Sequence, residues 1–238
     1  MDFNQLIDNS GSFSKEISRE FFRTVYSYMF AALGISGIIA YMVGTPEFFL
    51  TYFLDANGAI SPLFYVVAFA PVGLGLLIQM AYRSLPFGLL LVLFIGFAVL
   101  MGLSLGTVFL VYTGAAIAST FLVSAGAFAG MAILGYTTKT DLTKMGSLLY
   151  MAFIGIFIAG IVNIWIGSDT MSLVISGIGV FVFTGLTAFY MQKLKHLSQD
   201  ESLSGLDRNK LALVGGLQLY ILFINLFMSL LRLLGSRE

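Results

Sequence analysis

The chain has no cysteine, a single histidine (His196) and only 10% charged residues. Without cysteine there is no disulfide framework, zinc-thiolate site or thiol nucleophile, and the redox compartment is left undetermined. A lone histidine cannot build a polyhistidine metal site. The scarcity of charge excludes more. A soluble domain carries about 25% charged and about 45–50% apolar residues, whereas these 238 residues are 58% hydrophobic, with a mean hydropathy of +0.96. A soluble chain of this size cannot hide so much apolar surface, and disorder needs the reverse composition. The 12 bases and 12 acids cancel, so no bulk field attracts nucleic acid. The partner that composition demands is a lipid bilayer.

Charge placement divides the apolar sequence. A helix needs about 20 apolar residues to cross the hydrocarbon core. Uncharged gaps at 24–46, 56–82, 145–168, 170–192 and 211–231 each fit one span. The gap 84–138 holds 55 uncharged residues, enough for two spans with a tight turn near Gly106-Thr107 to Thr113-Gly114. The expectation is therefore an all-α integral membrane protein with seven transmembrane helices, at about 24–44, 63–82, 87–105, 113–134, 146–167, 170–190 and 211–234. They form one domain, 23–235, after a cytoplasmic N-terminal segment, 1–22. Barrel strands are excluded because the runs are continuous rather than alternating. The first 20 residues are polar and of mixed charge, unlike a signal peptide. Phe13, Ile17 and Phe21, spaced by four, allow an amphipathic entry helix over 11–22; a solvated tail is the alternative.

With seven spans, ten of the twelve bases fall on one side, and only Arg232 and Arg237 on the other. That bias predicts a cytoplasmic N-terminus and an external C-terminus. Six spans plus a re-entrant last segment would accommodate the same charges. In the outer loop 45–62, Phe48/Tyr52 and Phe49/Phe53 pair at i,i+4, which predicts a short helix at the membrane interface.

Helices associate in lipid through small residues and hydrogen bonds. Gly102 with Gly106, and Gly126 with Gly130, form two GxxxG pairs read as packing sites. The small-sided fourth span is expected to be an inner, tightly packed helix. Catalytic templates fail: there is no H-E-x-x-H, G-x-S-x-G or P-loop, and the acidic residues all lie outside the spans, so neither an enzyme nor a bound cofactor or metal is expected. What remains are polar residues at membrane depth. Gln218, Asn225 and Ser229 share one face of the last span, with Leu222 between them. They are either interhelical hydrogen-bonding groups or the wall of a conduit with Leu222 as its dry constriction. Thr184, Thr187 and Tyr190 form a second stripe, whose threonines can bond back to their own helix. Gln79 and Asn163 lie near span ends. Arg83 is a topology determinant, or a gating residue if it meets an acidic partner. His196 falls in the inner loop 193–210.

The inner segment Gly135-Tyr136-Thr137-Thr138-Lys139-Thr140-Asp141-Leu142 resembles the Bax inhibitor-1 (transmembrane Bax inhibitor motif) family. So do Gly102-Leu103-Ser104-Leu105, the small-residue helix Ala115 to Ala132, Asn163, and the last span Leu219-Tyr220-Ile221-Leu222-Phe223-Ile224-Asn225-Leu226-Phe227 with Leu230-Leu231-Arg232. The resemblance runs from about residue 20 to 235. It implies seven helices with a central C-terminal one, a bacterial-type location in the cell inner membrane, and activity as a pH-sensitive calcium leak and suppressor of stress-induced death. It also implies a pH-sensing aspartate pair, placed by the signature at Tyr190 and Leu222, and an arginine partner at or next to Arg83. Neither position is an aspartate here. Tyrosine titrates near 10 and leucine not at all. The expectation is therefore a cation (calcium) leak, or a derivative of one, that is not gated by pH near neutrality. The alternatives are a transporter of a small neutral solute and a scaffold binding other membrane proteins.

Overall fold

The computed structural model describes residues 3–55, 57–200 and 203–236, with side chains of the first helix from Glu16 onward. Eight helices follow in order: α1 (Phe3–Val43), α2 (Pro46–Tyr52), α3 (Pro62–Ala81), α4 (Phe87–Leu105), α5 (Gly114–Thr137), α6 (Thr143–Ile166), α7 (Asp169–Ser198) and α8 (Gly205–Leu234). A short 3-10 helix, Gly106–Leu110, follows α4. Seven of them, all but α2, are long and apolar enough to cross a membrane. Among the described residues there is no strand, only an isolated bridge between Leu54 and Ile60.

The helix boundaries have local causes. Thr45 accepts from the Phe48 N–H at 3.3 Å and Pro46 supplies the first helical position of α2, where a missing N–H costs nothing. Thr113, Ser168 and Ser204 cap α5, α7 and α8 in the same way. The α6–α7 turn closes on Gly167, whose φ of 68° is the left-handed conformation favoured at a helix C-terminus. Asn163 holds that turn together. Its Nδ2 donates to the Ser172 hydroxyl at 2.7 Å and the Ser168 carbonyl at 3.1 Å, and its Oδ1 accepts from the Ser168 N–H at 3.1 Å.

The bundle is built around α8. In its span 67% of residues are buried, against 39% in α7 and none in the corresponding stretch of α6. Helices α7, α1, α5, α4 and α3 surround it, while α6 packs on α7 at the edge. Close approach of α1 to α8 depends on Gly216, where a Cβ would lie 2.7 Å from the Val25 carbonyl oxygen. At the end where α8 begins, the buried Ser18 and Ser198 hydroxyls bond at 2.7 Å, fastening α1 to α7. At the opposite end, the Thr113 N–H reaches the Ser236 carbonyl at 3.4 Å. Helix α8 thus runs the whole height of the bundle.

Three expectations need correction. The inner loop 193–210 is mostly helix, because α7 continues to Ser198 and α8 starts at Gly205; charges mark where hydrocarbon ends, not where backbone hydrogen bonding ends. His196 consequently lies in the last turn of α7. The fourth span, α5, is peripheral, with 22% of its span buried. Its buried residues Ala116, Thr120, Ser124, Phe128, Ala132 and Gly135 form one stripe, while Ala115, Ala118, Ser119 and Ala129 are exposed. Gly126 and Gly130 are among those: both are exposed, with nothing within 4 Å of a Cβ position, so this GxxxG packs no helix of the bundle. Gly102 and Gly106 do meet a neighbour. A Cβ on Gly102 would lie 2.8 Å from Ile39 Cβ and 2.9 Å from the Ser36 carbonyl, and one on Gly106 2.5 Å from Val43, all on α1.

The entry segment forms the start of one long α1, with Phe21 and Phe22 buried; the side chain of Phe13 lies outside the described residues. Helix α2 is present, with Phe48 and Tyr52 ring centroids 4.7 Å apart and those of Phe49 and Phe53 5.7 Å apart.

Candidate functional site

Two cavities flank the middle of α8. The first, about 650 Å³, opens at the base-rich end, between the end of α3, the last turns of α7 and the first half of α8. Gln79, Arg83, Tyr190, Lys193, Lys210 and Gln218 line it, with Asp200 and Asp207. The second, about 500 Å³, lies in the other half, where Ser104, Thr107, Ser176, Asn225, Ser229 and Arg232 interrupt a mostly apolar wall. No residue lines both. Gln218 and Asn225 are seven residues apart, roughly 10 Å along the helix axis.

Between them α8 is packed on every side. Leu222 is 2% exposed and lines neither cavity. At the same level Phe97 of α4 stacks edge-on against Tyr220 at 5.9 Å, and Phe128 of α5 against Phe223 at 5.6 Å. A Cβ on Gly75 of α3 would touch Phe97 at 3.2 Å and Ile221 at 3.9 Å. Leucine and aromatic rings thus form a dry layer across the bundle. The Tyr220 hydroxyl sits beside Ser36 but makes no hydrogen bond of ordinary geometry. The Ser36 hydroxyl itself donates to the Leu33 carbonyl at 3.3 Å.

The polar stripe on α8 does not bridge helices. Asn225 Nδ2 donates to the Ile221 carbonyl and Ser229 Oγ to the Asn225 carbonyl, both at 2.8 Å and both within α8. Ser229 instead serves packing, lying where a Cβ on Gly179 of α7 would be 2.7 Å from its oxygen. Gln218 Oε1 is buried with no hydrogen-bond partner. Thr184 and Thr187 bond back to the Val180 and Phe183 carbonyls at 2.7 Å, so the two threonines of that stripe are satisfied within their own helix.

Tyr190 and Arg83 line one cavity but are engaged separately. The Tyr190 hydroxyl bonds to the Tyr150 hydroxyl of α6, and Lys193 Nζ lies 5.4 Å from the Tyr190 ring centroid. Arg83 Nε donates to the Tyr82 hydroxyl at 3.0 Å. That bond raises the guanidinium pKa further above its ordinary value, so Arg83 is a fixed positive charge. The structure therefore brings Arg83, Tyr190 and Gln218 together, puts Asn225 and Ser229 in the second cavity, and leaves Leu222 between.

Three participants escaped the sequence reading. Lys210, 9% exposed, donates to the Arg83 carbonyl at 3.3 Å; its spacing of four and eight residues to Val214 and Gln218 was the available signal. Tyr150 carries no such signal, because its partner lies on another helix 40 residues away. Gln192 accepts from the Leu142 N–H at 2.9 Å and donates to the Thr140 carbonyl at 2.8 Å, tying the α5–α6 loop to α7.

The family described as "Inhibitor of apoptosis-promoting Bax1" matches residues 18–238. The inner membrane protein YbhL of Escherichia coli (strain K12) is 38% identical over 170 residues, 71% of this chain and 73% of the relative. An uncharacterized protein of Caulobacter vibrioides is 40% identical over 227 residues, covering 92% of this chain and 90% of the relative. One of Borreliella burgdorferi is 37% identical over 225 residues, covering 93% and 94%.

Proposed function

The chain belongs to the Bax inhibitor-1 family, and from that premise we propose that it is a multi-pass protein of the inner membrane providing a low-flux leak for cations, closed at rest by the apolar layer at Leu222. The printed name of the Escherichia coli relative supports the location. The end carrying Arg83, Lys139, Lys144, Lys193, Lys195, Arg208 and Lys210 is then cytoplasmic by the positive-inside rule. The observation that carries the reading is the pair of cavities meeting α8 from opposite halves, separated by one dry layer. A hydrophobic constriction between wetted chambers gates by excluding water.

No carboxylate stands at this constriction. Tyr190 and Leu222 occupy the positions where the family's proton-sensing pair falls, and His196 lines neither cavity. The leak is therefore insensitive to pH near neutrality, and it favours monovalent ions over calcium because nothing at the layer offsets the dehydration of a divalent ion. A second reading, passage of a small neutral solute, is favoured by the uncharged amide Gln218 in the wall of the first chamber, whose two acids, Asp200 and Asp207, lie at its mouth rather than within the spans.

Proteoliposomes loaded with calcium- and potassium-sensitive dyes test the proposal. Flux should change less than about twofold between pH 6 and 8 (tyrosine titrates far above this range), and Leu222→Asp should raise calcium flux several-fold. A several-fold pH response in the native chain, or unchanged flux in a folded Leu222→Asp variant, refutes it.

A further inference from the structure

We propose that the cavity of about 500 Å³ in the half of the bundle away from the base-rich end is a lateral binding site for one anionic phospholipid, with an acyl chain between α3 and α6 and the phosphate on Arg232. This goes beyond the leak. Where the leak conducts, water must displace the tail, so occupancy and conduction exclude each other, but binding itself does not depend on the leak.

The cavity exists because two pairs of helices part. Helix α3 packs on α4, α6 packs on α7, and α8 forms the floor between them. The side left open faces hydrocarbon: Phe69 and Val72 of α3 and Phe157 and Ile164 of α6 line the cavity and are exposed. Along the floor it runs from Ile224 to Arg232, about 12 Å of helix axis, which is most of one leaflet of a hydrocarbon core about 30 Å thick. An intercalated helix about 10 Å across and of that length would need roughly 900 Å³. The space therefore suits a lipid chain rather than a partner helix.

The wall favours hydrocarbon. Thr107, Ser176, Asn225 and Ser229 each commit a hydrogen to a carbonyl three or four residues earlier, at 2.8–2.9 Å. The surface left for a guest is mostly carbon, which holds water poorly, and an unfilled space forfeits the packing contacts of its lining. A tail gains little there over its place among other lipids, so selection falls to the headgroup. Arg232 is the one charged residue among the described residues that line the cavity. It is exposed in the last turn of α8, and among the described residues it has no hydrogen bond or ion pair. Its planar fork can meet two oxygens of a phosphate at once. It also stands at the end of the bundle where bases are scarce, so the positive-inside rule does not account for it.

Native mass spectrometry of the detergent-purified full chain, loaded with equal amounts of phosphatidylglycerol and phosphatidylcholine, tests the site. The native chain should retain one phosphatidylglycerol, with a several-fold preference over phosphatidylcholine. Two glycines of α6 separate this site from lipid held loosely around the bundle. Gly160 lines the cavity and Gly155 does not, and neither has anything within 4 Å of a Cβ position. Gly160→Leu should therefore fold, fill the cavity and lower retention several-fold, whereas Gly155→Leu should leave it unchanged. Arg232→Gln, at an exposed side chain without partners, should keep a lipid but lose the preference. A phosphatidylglycerol held by the bases of the opposite end would survive both Gly160→Leu and Arg232→Gln, and that result overturns the proposal. So does equal retention of the two lipids by the native chain, an equal loss in Gly155→Leu, or a co-purified polypeptide in place of lipid.

Discussion

Gln192 offers the sharpest test of what holds the base-rich end together. The side chain is 7% exposed, and both ends of its amide are used, by the Leu142 N–H at 2.9 Å and the Thr140 carbonyl at 2.8 Å. Replacing it with leucine keeps the bulk and removes both bonds. The two losses are unequal. Leu142 is 8% exposed, so its N–H is stranded, at a cost of about 1–3 kcal/mol. Thr140 is exposed, so water takes over its carbonyl at little cost. The net destabilisation should be about 2 kcal/mol, a factor of roughly 30 in the folded-to-unfolded ratio. Unfolding by sodium dodecyl sulfate in mixed micelles, followed by circular dichroism, measures it. Lys195→Met is the control, removing an equally short but exposed bond to the Tyr136 carbonyl, 2.8 Å; surface losses of this kind stay within about 0.5 kcal/mol. If Gln192→Leu costs no more than Lys195→Met, burial does not set the value of these bonds and the reasoning fails.

Two other outcomes are expected. Gly102→Ala should destabilise by about 1–3 kcal/mol, because its Cβ would press on backbone and Cβ atoms of α1, whereas Gly130→Ala should change little, since nothing lies within 4 Å; the same detergent titration separates them, and equal effects would contradict the assigned faces. Asp141 accepts from the Thr143 hydroxyl and N–H at 2.6 and 2.9 Å, and these bonds hold its carboxyl below the usual range. A depressed folded value makes its contribution fully present above about pH 4 and lost as pH falls through the lower folded value. Protection of the amides at the start of α6, measured against their intrinsic exchange rates, should therefore fall in acid for the native chain but not for Asp141→Asn, and loss of protection near neutrality would contradict this.

The seven spans were legible because the 12 acids and 12 bases sit where hydrocarbon ends, and apolar run length needs no tertiary knowledge. The face shared by Gln218, Asn225 and Ser229 was legible from helical periodicity, as was the place of Leu222 between them. The destinations of their hydrogen bonds were not. A hydroxyl or amide in lipid can bond to its own helix or to a neighbour, and only coordinates distinguish Asn225 bonding to Ile221 from Asn225 bonding across a gap. The two GxxxG pairs make the same point. They are identical as strings, but Gly102 and Gly106 face α1, whereas Gly126 and Gly130 face outward. Which side of a helix meets a partner depends on its rotation in the bundle, and an evenly apolar helix such as α5 has no pattern that fixes that rotation. Tyr150 and Tyr190, and Gln192 with the 140–142 loop, are long-range pairs with no local trace.

The central place of α8 has a consequence for how this protein is made. Spans leave the ribosome in order, so the helix that fills the middle is the seventh to enter the bilayer. The six before it must wait as an unfilled shell, with the slot beside Val25 that Gly216 will occupy still open to lipid. Assembly cannot proceed outward from a finished nucleus; it completes only when the last-made piece slides in and displaces lipid from the interior. A chain released before residue 205 would be inserted yet hollow, and the membrane's proteases would meet it as a substrate rather than as a shorter version of the same protein.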